Sequence, residues 1–199
     1  MNKTIINHFK KVDPIMYNVA LKIDLEDRKK PGKEEYFIEL VDTVVSQQLS
    51  GKASATIFGR LKKLMPKGQI TPQNLLKVKD EEIRGAGISY SKIRYIKGIA
   101  SEIVEGKLDL YKFDEQSDEV VKEELVKLKG IGPWSAEMFL MFSLGRQDIF
   151  STGDLGLRNA IKKLYGFQKD PTIPEMEKIS SKWSPYRTYA SRILWRSLF

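Results

Sequence analysis

Leu128-Lys129-Gly130-Ile131-Gly132-Pro133-Trp134 is the stretch on which the reading of the fold turns. Two glycines two apart let a chain reverse tightly through backbone angles closed to other residues. Pro133 suits the first turn of a helix, where its missing N–H costs nothing. The stretch, about residues 128–134, therefore reads as a hairpin joining an acidic helix to the very apolar segment 134–144. Free N–H groups at such a helix start offer a seat for a phosphate. The same pattern also makes a plain helix–helix corner, and Ile131 plugs into the core on either reading.

Outward from the hairpin, helical periodicity dominates. Ile15, Val19, Ala20 and Ile23 recur at helical spacing after Asp13-Pro14, where Asp can cap and Pro can open the first turn. Phe37, Val41, Val44 and Val45 form a second face, and Ile57, Leu61 and Leu64 a third. Val121, Leu125 and Leu128 line the acidic helix, Leu157, Ile161 and Leu164 a later one, and Tyr186, Tyr189, Ala190, Ile193 and Leu194 the last. No alternating stretch carries hairpin-turn chemistry, so the expected class is all-α, built from many short helices. Breaks are expected at Lys30-Pro31-Gly32, Met65-Pro66-Lys67-Gly68, Leu144-Gly145-Arg146 and residues 171–174. Ile83-Arg84-Gly85-Ala86-Gly87-Ile88 echoes the hairpin in form, although Gly-x-Gly between helices is also ordinary C-capping. Ser89, Tyr90, Ser91 and Lys92, at the helix start after that echo, are candidate phosphate contacts.

The 199 residues carry 34 Lys+Arg against 26 Asp+Glu, a formal charge of +8. Residues 52–106 and 155–199 are each +6 and residues 107–128 are −3, so the charge is unevenly placed. Such a distribution either attracts a polyanion or simply keeps the surface soluble. With no cysteine there is no disulfide, thiolate nucleophile or cysteine-ligated cluster. A lone histidine, His8, has no evident partner and makes a His-rich metal site untenable. The first eleven residues lack an apolar signal core, and the apolar run 138–142 is too short to span a bilayer. An intracellular protein that engages no membrane is expected.

Asp154 precedes the Leu157, Ile161 and Leu164 face and so stands at or near a helix start. An aspartate there commonly serves as an N-cap worth about 1 kcal/mol. Capping also orients the carboxylate, and the helix dipole favours its charge.

The hairpin resembles that of the helix-hairpin-helix (HhH-GPD) DNA glycosylases, and three further segments extend the likeness. Asp148-Ile149-Phe150-Ser151-Thr152-Gly153-Asp154-Leu155 falls where that superfamily carries its loop and catalytic aspartate. Trp183-Ser184-Pro185-Tyr186-Arg187-Thr188-Tyr189-Ala190, then Leu194-Trp195, is similar to the closing segment of the 3-methyladenine DNA glycosylase II branch. Ser46-Gln47-Gln48-Leu49-Ser50 resembles that branch's DNA-probing tip. The resemblance implies two helical lobes, residues 32–144 and residues 1–31 with 145–199, with the active site in the cleft between them. It implies removal of alkylated purines of the 3-methyladenine and 7-methylguanine type from double-stranded DNA, by a monomer that requires no organic cofactor.

Residue by residue, the resemblance makes Asp154 catalytic and Trp134, Trp195, Met138 and Leu155 the base pocket. Lys129, Gly130, Ile131 and Gly132 become a phosphate grip, and Gln47, Gln48 and Leu49 a wedge that fills the gap left by an extruded nucleotide. It leaves room for Na+ or K+ on the carbonyls of Val126, Leu128 and Ile131. A fixed carboxylate stabilises the positive charge that develops at C1′ as the base departs, and electron-rich indoles attract a cationic base by about 1–2 kcal/mol each. The two tryptophans could equally be core residues, and the glutamines a polar helix end. Trp134 stands where strand-cutting branches carry a lysine, so base removal without strand cleavage is expected. Met138 and Leu155 stand where some relatives carry tyrosine. A glycosylase for other damaged bases, a non-catalytic DNA-binding module and a protein-interaction domain are the alternatives. The expected setting is the cytoplasm or nucleoid of a prokaryote.

Overall fold

Capping side chains set many of the helix starts in this chain, whose computed structural model describes residues 3–25 and 29–198. Helices α1 (Lys3–Val12) and α2 (Pro14–Ala20) are separated by Asp13, whose carboxylate accepts the N–H groups of Ile15 and Met16. Next come α3 (Tyr36–Ser46), α4 (Gly51–Lys63), α5 (Pro72–Lys77) and α6 (Asp80–Gly85). Helices α7 (Tyr90–Val104), α8 (Asp118–Val126) and α9 (Pro133–Phe142) lead up to and through the hairpin. The last three are α10 (Leu155–Tyr165), α11 (Ile173–Ser180) and α12 (Arg187–Arg196). Ser50, Thr71, Ser89, Ser117 and Asp154 cap α4, α5, α7, α8 and α10, each accepting a backbone N–H three residues on. Twelve α-helices and no strand occur among the described residues, so the chain is all-α. None of these helices is long and apolar enough to cross a membrane.

The chain divides into two compact units, Met1–Lys30 with Gly145–Phe199, and Pro31–Leu144. In the first, Phe9, Met16, Leu157, Ile161, Met176, Trp183, Ile193 and Leu194 share one apolar cluster. In the second, α3 packs on α4, α7 and α9, while α8 packs on α9. Tyr36 and Phe113 meet Phe139 edge-on, with ring centroids 5.8 and 6.2 Å apart. This core fixes the starts of α7 and α9, from which the hairpin chemistry projects.

Three local expectations are corrected. On α2 the buried face is Met16 and Ala20, with Ile15 outward, because Met16 and Ala20 are the residues that pack into the apolar cluster with Phe9 and Trp183. Pro174 is no breaker: it sits in the first turn of α11, where no N–H is missed. Of the paired glycines, only Gly130 adopts a left-handed angle, φ +93°, whereas Gly132 is extended at φ −94° and ψ 174°. The echo is consequently real but shifted by two residues. Gly87 (φ +106°), buried Ile88 and cap Ser89 precede α7 as Gly130, buried Ile131 and cap Gly132 precede α9.

Candidate active site and nucleic-acid interface

Asp154 is 9% exposed, and its Oδ1 accepts the Leu157 N–H at 2.8 Å and the Trp195 indole N–H at 2.9 Å. The first bond is the helix cap. The second comes from α12, 41 residues away in sequence. Gly156 lies against both groups: a Cβ there would stand 3.1 Å from Asp154 Oδ1 and 3.1 Å from Trp195 Cδ1. Leu155, at the first position of α10, is 65% exposed. A partly buried carboxylate held by two N–H donors is a fixed negative charge, suited to stabilising a cation that forms beside it.

The loop leading to Asp154 is stapled to the start of α12. Arg187 grips Asp148 through Nε and a terminal guanidinium nitrogen, at 2.8 and 3.0 Å. Ser184 Oγ donates to the same carboxylate at 2.7 Å. Burial pushes the Asp148 carboxyl up, but the hydrogen bonds from Arg187 and Ser184 outweigh it and hold the group below its ordinary value. Thr188 Oγ1 accepts the Ile149 N–H and donates to the Arg146 carbonyl. Thus α12 positions Asp154 twice, through its first turn and through Trp195.

At the far end of α10, the buried Asp13 Oδ2 accepts the Tyr165 hydroxyl at 2.6 Å and the Trp183 indole N–H at 2.9 Å. Burial and the neighbouring carboxylate push the Tyr165 phenol far above its ordinary value, so it stays a donor. The Asp-Pro signature at residues 13–14 marks the cap. The long-range partners of Asp13, like the Arg187–Asp148 pair, have no spacing signal, because tertiary packing alone brings them together.

The second unit holds the other candidates. A Cβ on Gly130 would lie 2.4 Å from the Tyr95 ring, so glycine is demanded there by space as well as by angle. Ile131 is buried, while Lys129 and Gly132 are exposed, and a Cβ on Gly132 would meet nothing within 4 Å. This leaves the start of α9 open to close approach by a ligand. Trp134 is 42% exposed on the first turn of α9, and Met138, one turn further on, is buried. The site candidates thus fall into two sets, Asp154, Leu155 and Trp195 in one unit and the remainder in the other.

Two of the expected DNA contacts hold partners within the protein. The Lys92 ammonium donates to the carbonyls of Val45 and Gln47, both at 2.7 Å. The Gln47 amide donates to the Gly130 carbonyl at 2.9 Å and to Ser135 Oγ at 3.2 Å, so its polar end is turned to the hairpin. Gln48, at φ +59°, and Leu49 are exposed at the tip between α3 and α4. Ser89 Oγ caps α7, while Tyr90 and Ser91 are exposed on its first turn.

Comparison with known proteins bears on this arrangement. Residues 41–185 match the model of the HhH-GPD superfamily base excision DNA repair protein. DNA-3-methyladenine glycosylase 1 of Schizosaccharomyces pombe is 38% identical over 83% of this chain and 73% of its own length. The solved structure of the Schizosaccharomyces pombe 3-methyladenine DNA glycosylase in complex with abasic DNA superposes with a TM-score of 0.88 at 33% identity, covering 98% of this chain and 96% of that one. The DNA-3-methyladenine glycosidase structure from Bacillus halodurans gives 0.85 at 34% identity, with 98% and 89% covered. The chain belongs to the HhH-GPD superfamily of base excision DNA repair proteins.

Proposed function

We propose that this chain is a monofunctional DNA glycosylase that removes alkylated purines, of the 3-methyladenine and 7-methylguanine type, from double-stranded DNA. The observation that carries the reading is the Asp154 carboxylate, held through Oδ1 by Leu157 and Trp195 at the start of α10. An N3- or N7-alkylated purine already bears positive charge. It leaves with the electron pair of the glycosidic bond and becomes neutral without a general acid. The deficit at C1′ is stabilised by Asp154, which also orients the attacking water and draws off its proton. Water's oxygen bonds to C1′, and an abasic site remains.

The exposed start of α9, where Gly132 carries no side chain, takes a DNA phosphate with exposed Lys129 beside it. The start of α7 repeats the same backbone and takes a second one through Ser89, Tyr90 and Ser91. Leu49 and Gln48 fill the space left by the extruded nucleotide, offsetting part of the few kcal/mol that flipping costs. The exposed face of Trp134 stacks on the cationic base. Trp134 carries no amine, so no Schiff base forms there and the strand stays intact. Catalysis requires no organic cofactor, and the enzyme acts as a monomer inside the cell, in the cytoplasm or nucleoid of a prokaryote.

A monovalent cation on the carbonyls of Val126, Leu128 and Ile131 fits what these residues offer. Val126 and Leu128 lie at the negative end of the α8 dipole, and the Leu128 carbonyl, which accepts the Ile131 N–H, has a second lone pair. Na+ or K+ there would brace the hairpin and add positive charge toward a phosphate.

Free-base release from methylated duplex, resolved by chromatography, tests the proposal. Asp154→Asn should lower release by at least a thousandfold while abasic-duplex binding persists, because asparagine caps a helix as well as aspartate does. Release undiminished by that change, or a nick appearing before alkali treatment, would refute the respective claim.

A further inference from the structure

The tip that carries Gln48 and Leu49 is fastened at two points. Lys92 is the third residue of α7, and its ammonium bonds the carbonyls of Val45 and Gln47. Those oxygens lie at the C-terminal end of α3, among the carbonyls that a helix end leaves without intrahelical donors. A cation there also meets the negative end of the α3 dipole. Burial lowers the Lys92 pKa from the ordinary lysine value, because withdrawal from water disfavours the charged form.

From Gln47 the backbone leaves the helix, and Gln48 turns through the left-handed region at φ +59°. The Leu49 N–H then closes back on the Ser46 carbonyl at 3.1 Å. Meanwhile the Gln47 side chain reaches across 83 residues of sequence to the Gly130 carbonyl, in the hairpin itself. Its second contact, Ser135 Oγ, lies on the first turn of α9. One backbone segment is thus tied by its carbonyls to α7 and by its side chain to the hairpin.

We infer that Lys92 and Gln47 are positioning residues, a two-point clamp that locks the Gln48–Leu49 tip to the Gly130–Gly132 hairpin. A plug inserted into a duplex displaces a base only if its own backbone does not yield. Anchoring the plug to the element that grips the phosphate makes the grip and the plug move as one piece. The use of the clamp in base extrusion rests on the glycosylase reading; the clamp itself is a property of the protein without DNA.

The test uses Lys92→Met, Lys92→Arg and Gln47→Leu. Amide hydrogen exchange over residues 46–50, measured without DNA, should accelerate at least tenfold in Lys92→Met and in Gln47→Leu. Lys92→Arg, which returns a cation to the same carbonyls, should recover most of the protection. Single-turnover base release at saturating enzyme should fall at least tenfold in Lys92→Met and recover in Lys92→Arg. The slope of log affinity against log salt for an abasic duplex should stay at its wild-type value, since a lost phosphate contact would reduce it by about 0.9. A reduced slope with unchanged exchange makes Lys92 a phosphate ligand and overturns the clamp. If Lys92→Met fails to fold, unchanged exchange in Gln47→Leu overturns it equally. Wild-type protein that releases no base, yet shows the exchange pattern, leaves the clamp standing and removes the glycosylase reading instead.

Discussion

The indole N–H of Trp195 donates to Oδ1 of Asp154 at 2.9 Å, so the last helix of the chain supplies a direct donor to its best-placed carboxylate. The tryptophan is thereby more than an aromatic surface. Trp195→Phe keeps an aromatic ring but removes the N–H together with the five-membered half of the indole. Hydrogen bonds to charged groups contribute about 1.5–3 kcal/mol, so single-turnover base release should fall about tenfold to hundredfold. Abasic-duplex affinity should hold within about twofold, because the lost bond orients a charge rather than gripping DNA. Rates equal to wild type would show that the cap from Leu157 suffices to hold Asp154.

Gly156→Ala probes the same pair sterically. By helix propensity alone, alanine in the first turn of α10 is the more stable residue, by at most about 0.5–1 kcal/mol. Its Cβ, however, would press to 3.1 Å on both Asp154 Oδ1 and Trp195 Cδ1. Displacing a reacting group by even about 1 Å can cost a hundredfold in rate. Thermal unfolding should therefore change little while base release drops at least tenfold. A variant that is fully active would mean that the carboxylate tolerates the shift.

How far the chain was readable from its residues follows from what kind of signal each feature leaves. Helical faces such as Phe37, Val41, Val44 and Val45 are periodic, and all four are buried. The caps at Asp13 and Asp154 announce themselves by residue type next to an apolar face. Lys92 and Gln47 defeat that reasoning: each adjoins an exposed polar residue, Ser91 or Gln48, and nothing local reveals that its polar end turns inward to a carbonyl of another element. The glycine pair misleads differently. Both residues fit the motif, but only Gly130 needs its special angle, while Gly132 serves by lacking a side chain.

That division of labour predicts opposite outcomes for two similar substitutions. Gly130→Ala places a Cβ into the Tyr95 ring at a left-handed angle and should cost about 2 kcal/mol or more, visible in urea unfolding. Gly132→Ala enters open space at an ordinary angle and should cost about 1 kcal/mol or less. On the proposed phosphate seat its Cβ nonetheless obstructs the ligand, so duplex affinity should weaken about tenfold. Equal affinities for Gly132→Ala and wild type would place the DNA backbone elsewhere.

Asp13 unites two elements through one carboxylate oxygen, with Tyr165 and Trp183 as donors, and caps α2 with the other. Asp13→Ala removes a cap worth about 1 kcal/mol and strands two buried donors at about 1–3 kcal/mol each. A loss of about 4 kcal/mol in urea unfolding is expected. A loss under about 1 kcal/mol would mean that solvent reaches both donors.

The Arg187–Asp148 staple gives the chain a component of acid sensitivity whose sign can be worked out. The folded-state pKa of Asp148 lies below its ordinary value of 3.8, because the Arg187 and Ser184 hydrogen bonds outweigh burial. Unfolded chains therefore bind this proton more readily than folded ones do. The stabilisation is fully present above the unfolded value and drains away as pH falls past it and through the lower folded value. With the side chains of Arg187 and Asp148 36% and 28% exposed, solvent screens part of the interaction, so about 1 kcal/mol is the scale. Asp148→Asn should lower stability by about that much at pH 7 and by progressively less below about pH 4. Parallel urea titrations of the two proteins across that range check it; a difference independent of pH would assign the effect to shape rather than charge.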